Sequence, residues 1–343
     1  MTSQQRIEAF VQLGHTIEKK INAYHSDEQL QSLYESALHS NGWFTPVEVK
    51  RALRGIVRML DETTLRSFCA GYNLPDTFDN RTVAVIMAGN LPAVNFADIL
   101  YCQLSGFSVL AKLSSSDPHT IPFLIRMLKD ISPGLAEKIQ VTTDTLSGFD
   151  VVLATGSNNS ARYFEYYFGK YPNIIRKNRT SAAILYGTES EADLQKLGDD
   201  IFSFYGLGCR SVNKLFLKKG TSPERIAGAL ESFSGVADHS KYRNNYDYYK
   251  SIFLLNKEDF LDTGFLLLKQ SESLHPPVSV LYYEYFENDA ELAVRLESLR
   301  DELQCVVGNS GRAYTIPFGE SQLPGVQDYP DGVDVVKFLL SLH

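Results

Sequence analysis

The sequence predicts an α/β protein: a parallel sheet covered by helices, with a helical segment ahead of it. Three observations carry that expectation. Short β-branched runs alternate with helical stretches from about residue 80 onward, glycine- and serine-containing turns separate them, and the preceding residues place apolar side chains every three or four positions. Such alternation buries a parallel sheet under helices on both faces. The chain has 343 residues, enough for two domains each with a core, and its 44% hydrophobic and 22% charged content is ordinary for a globular protein.

From Ser3 to about Phe68 the apolar positions Ile7, Phe10, Val11, Ile17 and Ile21, then Leu30, Leu33 and Leu38, then Val49, Leu53, Ile56, Val57 and Leu60 follow a helical period. The break NGWFTP, with Thr45 and Pro46 ahead of Glu48, reads as a helix start. TVAVIMA (Thr82 to Ala88) is short and β-branched, as a buried parallel strand should be. A helix over Val94 to Leu104 and a second strand, FSVLAKL, complete a βαβ unit. The alternation continues with a helix near Ile121 to Ile131, strands at Ile139 to Thr142 and Phe149 to Ala154, and a helix from Asn158 to Phe168. Next come a strand at Ala182 to Tyr186, a helix from Ser190 to Phe204, the strand VNKLFL and the helix SPERIAGALESF. A tyrosine-rich stretch, YRNNYDYYKSIFLL, reads either as a contact surface, since tyrosine is enriched at interfaces, or as packing or a loop. The strand VSVLYYEYF, the helix DAELAVRLESLRDEL, the strand QCVVG and a Gly-, Pro- and Asp-rich tail with a final helix close the chain.

A formal charge of -8 and a pI near 5.5 argue against a nucleic-acid surface, which needs clustered cations. The N-terminal stretch lacks the uninterrupted apolar core of a secretory signal, and no window approaches the roughly 18 to 20 apolar residues of a membrane span, so a cytoplasmic location is expected. Cys69, Cys102, Cys209 and Cys305 are scattered without a CxxC pair, and the histidines show no HExxH spacing. A metal mechanism is therefore not expected.

Four strand ends carry candidate chemistry. MAGNLP follows the first strand, where the Asn90 amide is either a donor toward a developing oxyanion or a turn former. KLSSSDP ends the second. A dinucleotide site for NAD places an acid at the ribose, whereas a 2′-phosphate needs that acid removed and a cation nearby. Lys112 with Ser114 and Ser115 fits the second case; the other reading is a solvated lysine before a helix capped by Ser116 or Asp117. ATGSNNSARYF supplies Gly156 and Ser157 at a helix N-terminus, where unsatisfied amides can hold phosphate, although GxGxxG is absent. Arg176, Lys177 and Arg179 beyond it read as a solvated face. In FYGLGCRSVNKLFL the Gly-Leu-Gly turn sets Cys209 at an elbow beside Arg210, whose charge favours the reactive thiolate. The competing reading of Cys209 is a small apolar core residue.

Taken together these segments resemble the aldehyde dehydrogenase superfamily and, within it, the long-chain acyl-CoA reductase (LuxC-like) family. AGNLP resembles the Asn-x-Pro oxyanion segment, LAKLSSSDP the Lys-Pro-Ser-Glu segment, ATGSNNSA the Gly-Ser turn, and GLGCRS the nucleophile segment. VSVLYYEYF resembles the later catalytic-domain strand and IPFGESQLPG the terminal Pro-Phe-Gly motif, and all six keep their order. The resemblance runs from about Asn80 to the C-terminus and implies a nucleotide-binding domain over 80–178, a catalytic domain over 179–310 and a C-terminal tail over 311–343, behind the helical segment over 1–79 that the periodicity predicts and the superfamily matches poorly. It also implies reduction of a fatty acyl-CoA or acyl-protein thioester to an aldehyde through Cys209, with Asn90 at the oxyanion. NADPH would be held by Lys112, Ser114, Ser115, Gly156 and Ser157.

Two departures bear on mechanism. The Glu-Leu-Gly-Gly that supplies a water-activating glutamate is matched by Arg176-Lys177-Asn178-Arg179, so no carboxylate base is expected and a thioester should escape hydrolysis. Glu-Glu-x-Phe-Gly-Pro is altered to SESLHPPVS, which leaves Glu272 and His275 as alternatives for the nicotinamide ribose. Expected partners are the acyl substrate, an acyl-activating enzyme and a second copy of the chain. The alternatives are a CoA-acylating dehydrogenase of short aldehydes and a non-catalytic acyl carrier or scaffold.

Overall fold

The computed structural model describes residues 1–309, 311 and 315–343. Met1–Asn178 with Pro324–His343 form one compact unit, and Arg179–Leu323 form a second.

The first unit begins with four helices: α1 (Ser3–Asn22), α2 (Glu28–Ser40), α3 (Pro46–Met59) and α4 (Glu62–Ala70). Local chemistry sets their starts. Thr2 and Gln5 form a reciprocal capping box, Asp27 and Asp61 accept from Leu30 N and Thr64 N, and Pro46 occupies the first turn of α3. Their apolar faces join one core with the sheet that follows, through Phe10, Leu13, Leu30, Leu53 and Leu65.

That sheet is built from β1 (Thr82–Ile86), α5 (Phe96–Leu104), β2 (Ser108–Lys112), α6 (Thr120–Ile131), α7 (Pro133–Ala136), β3 (Ile139–Thr142), β4 (Val151–Thr155), α8 (Asn158–Phe168) and β5 (Asn173–Arg176). All its pairings are parallel, in the order β3-β2-β1-β4-β5. The order reverses between β1 and β4, and ligands of open α/β sheets bind outside the strand carboxyl ends at such a reversal. β5 is not expected from the sequence pattern: it is four residues long, between Pro172 and a charged run.

The second unit comprises β6 (Thr180–Leu185), α9 (Glu191–Phe202), β7 (Val212–Lys218), α10 (Pro223–Ala229), α11 (Ser240–Leu255), β8 (Leu261–Asp262), β9 (Leu267–Gln270), β10 (Val280–Phe286), α12 (Asp289–Ser298), β11 (Leu303–Val307) and β12 (Thr315–Ile316). The sheet runs β12-β11-β6-β7-β10-β9-β8 and is parallel except for the β8–β9 pair. The tyrosine-rich stretch is helix α11; Tyr242 and Tyr246 are buried in it, while Tyr248 is exposed.

The last helix, α13 (Val335–Leu340), belongs to the first unit, where Val335, Val336 and Leu339 enter the core. Tyr101 donates to the Val326 carbonyl at 2.8 Å, and His343 lies 3.2 Å from Asp79 Oδ2, so the end of the chain is tied down.

Candidate functional site

In the first unit the loops after β1, β2, β4 and β5 are bound to one another by buried side chains. Asn95, at the start of α5, accepts from Ala88 N at 2.9 Å and donates to Thr155 Oγ1 at 3.0 Å, joining the ends of β1 and β4 across the switch point. Its amide also donates to Asp98 at 2.9 Å. Asp98 in turn receives two bonds of 2.8 Å from the Arg176 guanidinium at the end of β5. Arg176 is 3% exposed, which corrects the reading of this residue as part of a solvated face. Burial works against its charge, but the Asp98 carboxylate outweighs that and the guanidinium pKa is raised. Only Lys177 of that run behaves as expected, exposed and 3.1 Å from Glu165.

Asp117 makes a second tie. It accepts from Ala93 N at 2.8 Å and from Thr120 N at 3.2 Å, so the KLSSSDP segment grips the AGNLP segment. Ala93 sits at φ 52°, a left-handed conformation that costs a non-glycine residue about 1–3 kcal/mol and persists only where the surroundings hold it. Gly89 packs so closely that a Cβ there would lie 2.8 Å from the Cβ atoms of Ser114 and Ser116. Asn90, one residue on, is exposed. Asn41 at the end of α2 donates to the Gly89 carbonyl at 3.4 Å, which gives the N-terminal helices a direct hold on this loop.

Of the predicted cofactor residues, Lys112 ends β2 and donates to the Thr143 carbonyl and, at 2.7 Å, to the Asp144 carbonyl. Two of its three N–H groups are thereby directed, leaving the third for a ribose or phosphate oxygen. Ser114 is half-buried and accepts from Ser116 N at 3.2 Å, and Ser115 is exposed. Gly156 allows β4 to turn tightly into α8, since a Cβ would lie 2.8 Å from Ser160 Cβ. Ser157 caps α8 by accepting from Ser160 N at 3.1 Å, and the amides of the first turn face the strand end. A helix N-terminus and a cation at neighbouring strand ends fit a dinucleotide.

In the second unit Cys209 lies between α9 and β7, neither deeply buried nor fully exposed. The turn before it is more strained than the glycines alone suggested. Phe204 and Tyr205 adopt φ of 53° and 56°, followed by Gly206 at 77°, so three successive residues are left-handed. The pins that hold this turn are numerous. Ser211 Oγ accepts from Gly208 N at 3.2 Å and from the Gln322 amide at 3.0 Å, and Ser181 Oγ donates to the Cys209 carbonyl at 2.9 Å. Arg210 Nε donates to the Ser321 carbonyl at 2.5 Å. The buried Asp200 of α9 accepts from Gly319 N and Ser321 N at 2.7 and 2.9 Å, clamping the Pro-Phe-Gly segment beneath the same turn. Burial pushes the Asp200 carboxyl up despite those bonds.

Glu272 is not brought to Cys209. Lys214 pairs with Tyr282 and Leu215 with Tyr283, and Ser271 N donates to the Tyr283 carbonyl, so Glu272 lies beside the far half of β10. Cys209 precedes the near end of β7, and the three residues from Val212 to Leu215 alone span about 10 Å of strand. Glu272 instead lines a 1350 Å³ groove with Lys257, Lys269, Glu284 and Arg295. Buried Lys214 holds its segment in place, 2.7 Å from Glu284 and bonded to the Ser271 carbonyl. His275, further along the returning loop, lies 3.6 Å from Glu302, which immediately precedes Leu303. Leu303 pairs with Thr180 at the start of β6, at the same end of the parallel strands as Cys209 ahead of β7.

Sequence reasoning gave no role to Asn95, Asp98 or Ser181, read Asp117 only as a helix cap, which its bond from Thr120 N matches, and read Cys305 only as one of four scattered cysteines. Asp98 carried a signal: it is the one charge in α5, FADILYCQL, an otherwise near-continuous apolar helix, and a buried acid demands a partner. Among the described residues no group of three or more His, Cys, Asp or Glu side chains is arranged to hold a metal ion. No helix among them is long and apolar enough to cross a membrane.

A model of the acyl-CoA reductase (LuxC) family matches residues 18–232, more than half of the chain. The chain belongs to the LuxC acyl-CoA reductase family. No curated protein sequence matches it. Among solved structures, aldehyde dehydrogenase 21 from Physcomitrella patens, in complex with succinate, superposes with a TM-score of 0.70 at 10% identity, covering 99% of this chain and 84% of that one. Aldehyde dehydrogenase C from Pseudomonas syringae, complexed with NAD+ and octanal, gives 0.65 at 11% identity over 90% and 73%. The NADP-dependent glyceraldehyde-3-phosphate dehydrogenase of Bacillus halodurans, with NADP, gives 0.61 at 14% over 90% and 75%. This LuxC family member thus has the aldehyde dehydrogenase fold, and family and fold together support an oxidoreductase acting on aldehydes.

Proposed function

We propose that this LuxC family member reduces a fatty acyl thioester, carried by CoA or by a protein, to the aldehyde with NADPH and through a Cys209 acyl-enzyme. The observation that carries the reading is the Cys209 turn: two non-glycine residues, Phe204 and Tyr205, are left-handed a few positions ahead of a partly exposed cysteine whose carbonyl and preceding amide are pinned by side chains. Strain stored beside a nucleophile is a hallmark of pre-organised sites.

In this reading the Cys209 thiolate attacks the thioester carbonyl, and the Asn90 amide and the Cys209 backbone N–H donate to the tetrahedral oxyanion. Collapse expels CoA as its thiolate and leaves the acyl group on Cys209. The acyl carbon would accept a hydride that NADPH supplies when bound, and cleavage of its bond to Cys209 then returns the thiolate and releases the aldehyde. Lys112 and Ser115 select the phosphorylated cofactor by offering a cation and no acid; the Gly156-Ser157 turn offers the α8 amides to its pyrophosphate. His275 takes the nicotinamide-ribose role in preference to Glu272, because it lies toward the same strand-start end of the sheet as Cys209.

Hydrolysis is disfavoured by the same residues. The segment matching the water-activating glutamate begins with Arg176, a cation, and its partner Asp98 is 2% exposed and receives three hydrogen bonds. A carboxylate so enclosed is not placed to activate a water.

The test is NADPH and NADH oxidation by the purified chain across an acyl-CoA length series, with Cys209→Ala alongside. Thioester-dependent oxidation, preferring NADPH and lost in the variant, is expected. Turnover that survives in Cys209→Ala would overturn the proposal; tight NADPH binding without turnover would direct attention to an acyl-protein donor.

A further inference from the structure

Ser181 opens β6 beside the Cys209 turn and is fully buried. Its hydroxyl donates to the Cys209 carbonyl at 2.9 Å, while its oxygen lies 3.0 Å from Cys305 Sγ on β11. A serine hydroxyl has one proton to give. With that proton committed to the Cys209 carbonyl, the Cys305 thiol must be the donor in the second contact. The order is therefore Cys305 S–H to Ser181 O–H to Cys209 C=O, and each donor fixes the rotor of the next. Three strands contribute: β11 supplies the thiol, β6 the hydroxyl, and the lead-in to β7 the carbonyl.

We propose that Ser181 and Cys305 are positioning residues for the Cys209 nucleophile. Holding the Cys209 carbonyl fixes ψ of that residue, and with it the direction of its Cα–Cβ bond and of its own N–H. Without the hold, the left-handed turn at Phe204 and Tyr205 has a downhill route to relax, carrying the thiol away from its working orientation. This inference rests on the assignment of Cys209 as nucleophile.

The test uses the full chain with Ser181→Ala, Cys305→Ala and Cys305→Ser. Two readouts are taken: the rate of iodoacetamide alkylation at Cys209, followed by peptide mass, and thioester-dependent NADPH oxidation resolved into kcat and KM. Ser181→Ala and Cys305→Ala are each expected to lower kcat about fivefold, the worth of one net hydrogen bond, with KM for acyl-CoA unchanged. Both are also expected to shift the alkylation rate in one direction by a comparable factor. Cys305→Ser keeps a donor and should stay within about twofold of wild type. A packing role predicts otherwise, because the serine oxygen fills less of the space than the sulfur and adds polarity, so Cys305→Ser would lose packing as Cys305→Ala does. The proposal is overturned if Cys305→Ser behaves like Cys305→Ala, or if Ser181→Ala and Cys305→Ala leave both readouts at wild-type values. Should Ser181→Ala fail to fold, the Cys305 pair decides. Should wild type alkylate at Cys209 yet never turn over a thioester, the reductase reading fails while the alkylation rates still judge the positioning.

Discussion

Replacing Arg176 by methionine tests the buried network under the switch point most directly. The substitution removes the guanidinium from an Asp98 carboxylate that is 2% exposed, leaving that charge with the Asn95 amide as its remaining bond described here. Breaking a buried pair by deleting one partner costs about 3–5 kcal/mol. That is a large share of the roughly 5–15 kcal/mol that holds a domain folded. With urea slopes of roughly 1–3 kcal/mol per molar, the midpoint should fall by more than about 1 M. The assay is built into the chain: its single tryptophan, Trp43, lies in the first unit and packs on that core, so its fluorescence reports the unit that contains the pair. The double variant Asp98→Leu with Arg176→Met should recover most of the loss, because two apolar groups leave no stranded charge. A single variant that shifts the midpoint by less than about 0.3 M, or a double variant worse than the single, would refute the reasoning.

Three further outcomes are expected. Burial pushes the Cys69 thiol up to about 12 and raises Cys102 well above its usual value, so a disulfide reagent should titrate two thiols, Cys209 and Cys305, in the native chain and all four after denaturation. The Arg81 guanidinium, with His343 nearby, holds the Asp79 carboxyl well below the usual carboxylate range. A depressed acid stabilises above its unfolded value of about 3.9 and loses that contribution as pH falls, so Asp79→Asn should flatten the acid limb of Trp43-monitored unfolding below about pH 4. Gly89→Ala would place a Cβ 2.8 Å from Ser114 and Ser116 side-chain carbons, forcing the β1 and β2 loops apart. Thioester turnover should fall about tenfold or more with the circular dichroism spectrum unchanged.

What the sequence made legible follows from range. Strands such as Val83–Val85 and helices such as α5 and α8 declare themselves through residues a few positions apart, and the motif order named the family that the family model matches. The short strands β5 and β9 did not: β5 sits between Pro172 and a charged run, and β9, LLKQ, has no β-branched residue. The ties between loops were invisible for a different reason. Asp98 and Arg176 are 78 positions apart, Ser181 and Cys305 are 124 apart, and Asp200 and Ser321 are 121 apart, so each partner taken singly reads as an ordinary surface or core residue.

Those long-range ties share one design. In each unit a loop after or before a strand departs from relaxed backbone geometry, at Ala93 in the first and at Phe204 and Tyr205 in the second. A polar side chain bonds each segment: Asp117 holds the Ala93 amide itself, and Ser181 and Ser211 hold the Cys209 carbonyl and Gly208 amide just beyond Phe204 and Tyr205. Strain that is cheap to relax does not survive unless something opposes it, and the opposing bonds here cost the chain buried polar groups. A scaffold with no chemistry to perform gains nothing from that expense at Cys209. The pinned turn therefore weighs toward a working nucleophile, and the Ser181 and Cys305 variants measure how much of its reactivity the pins supply.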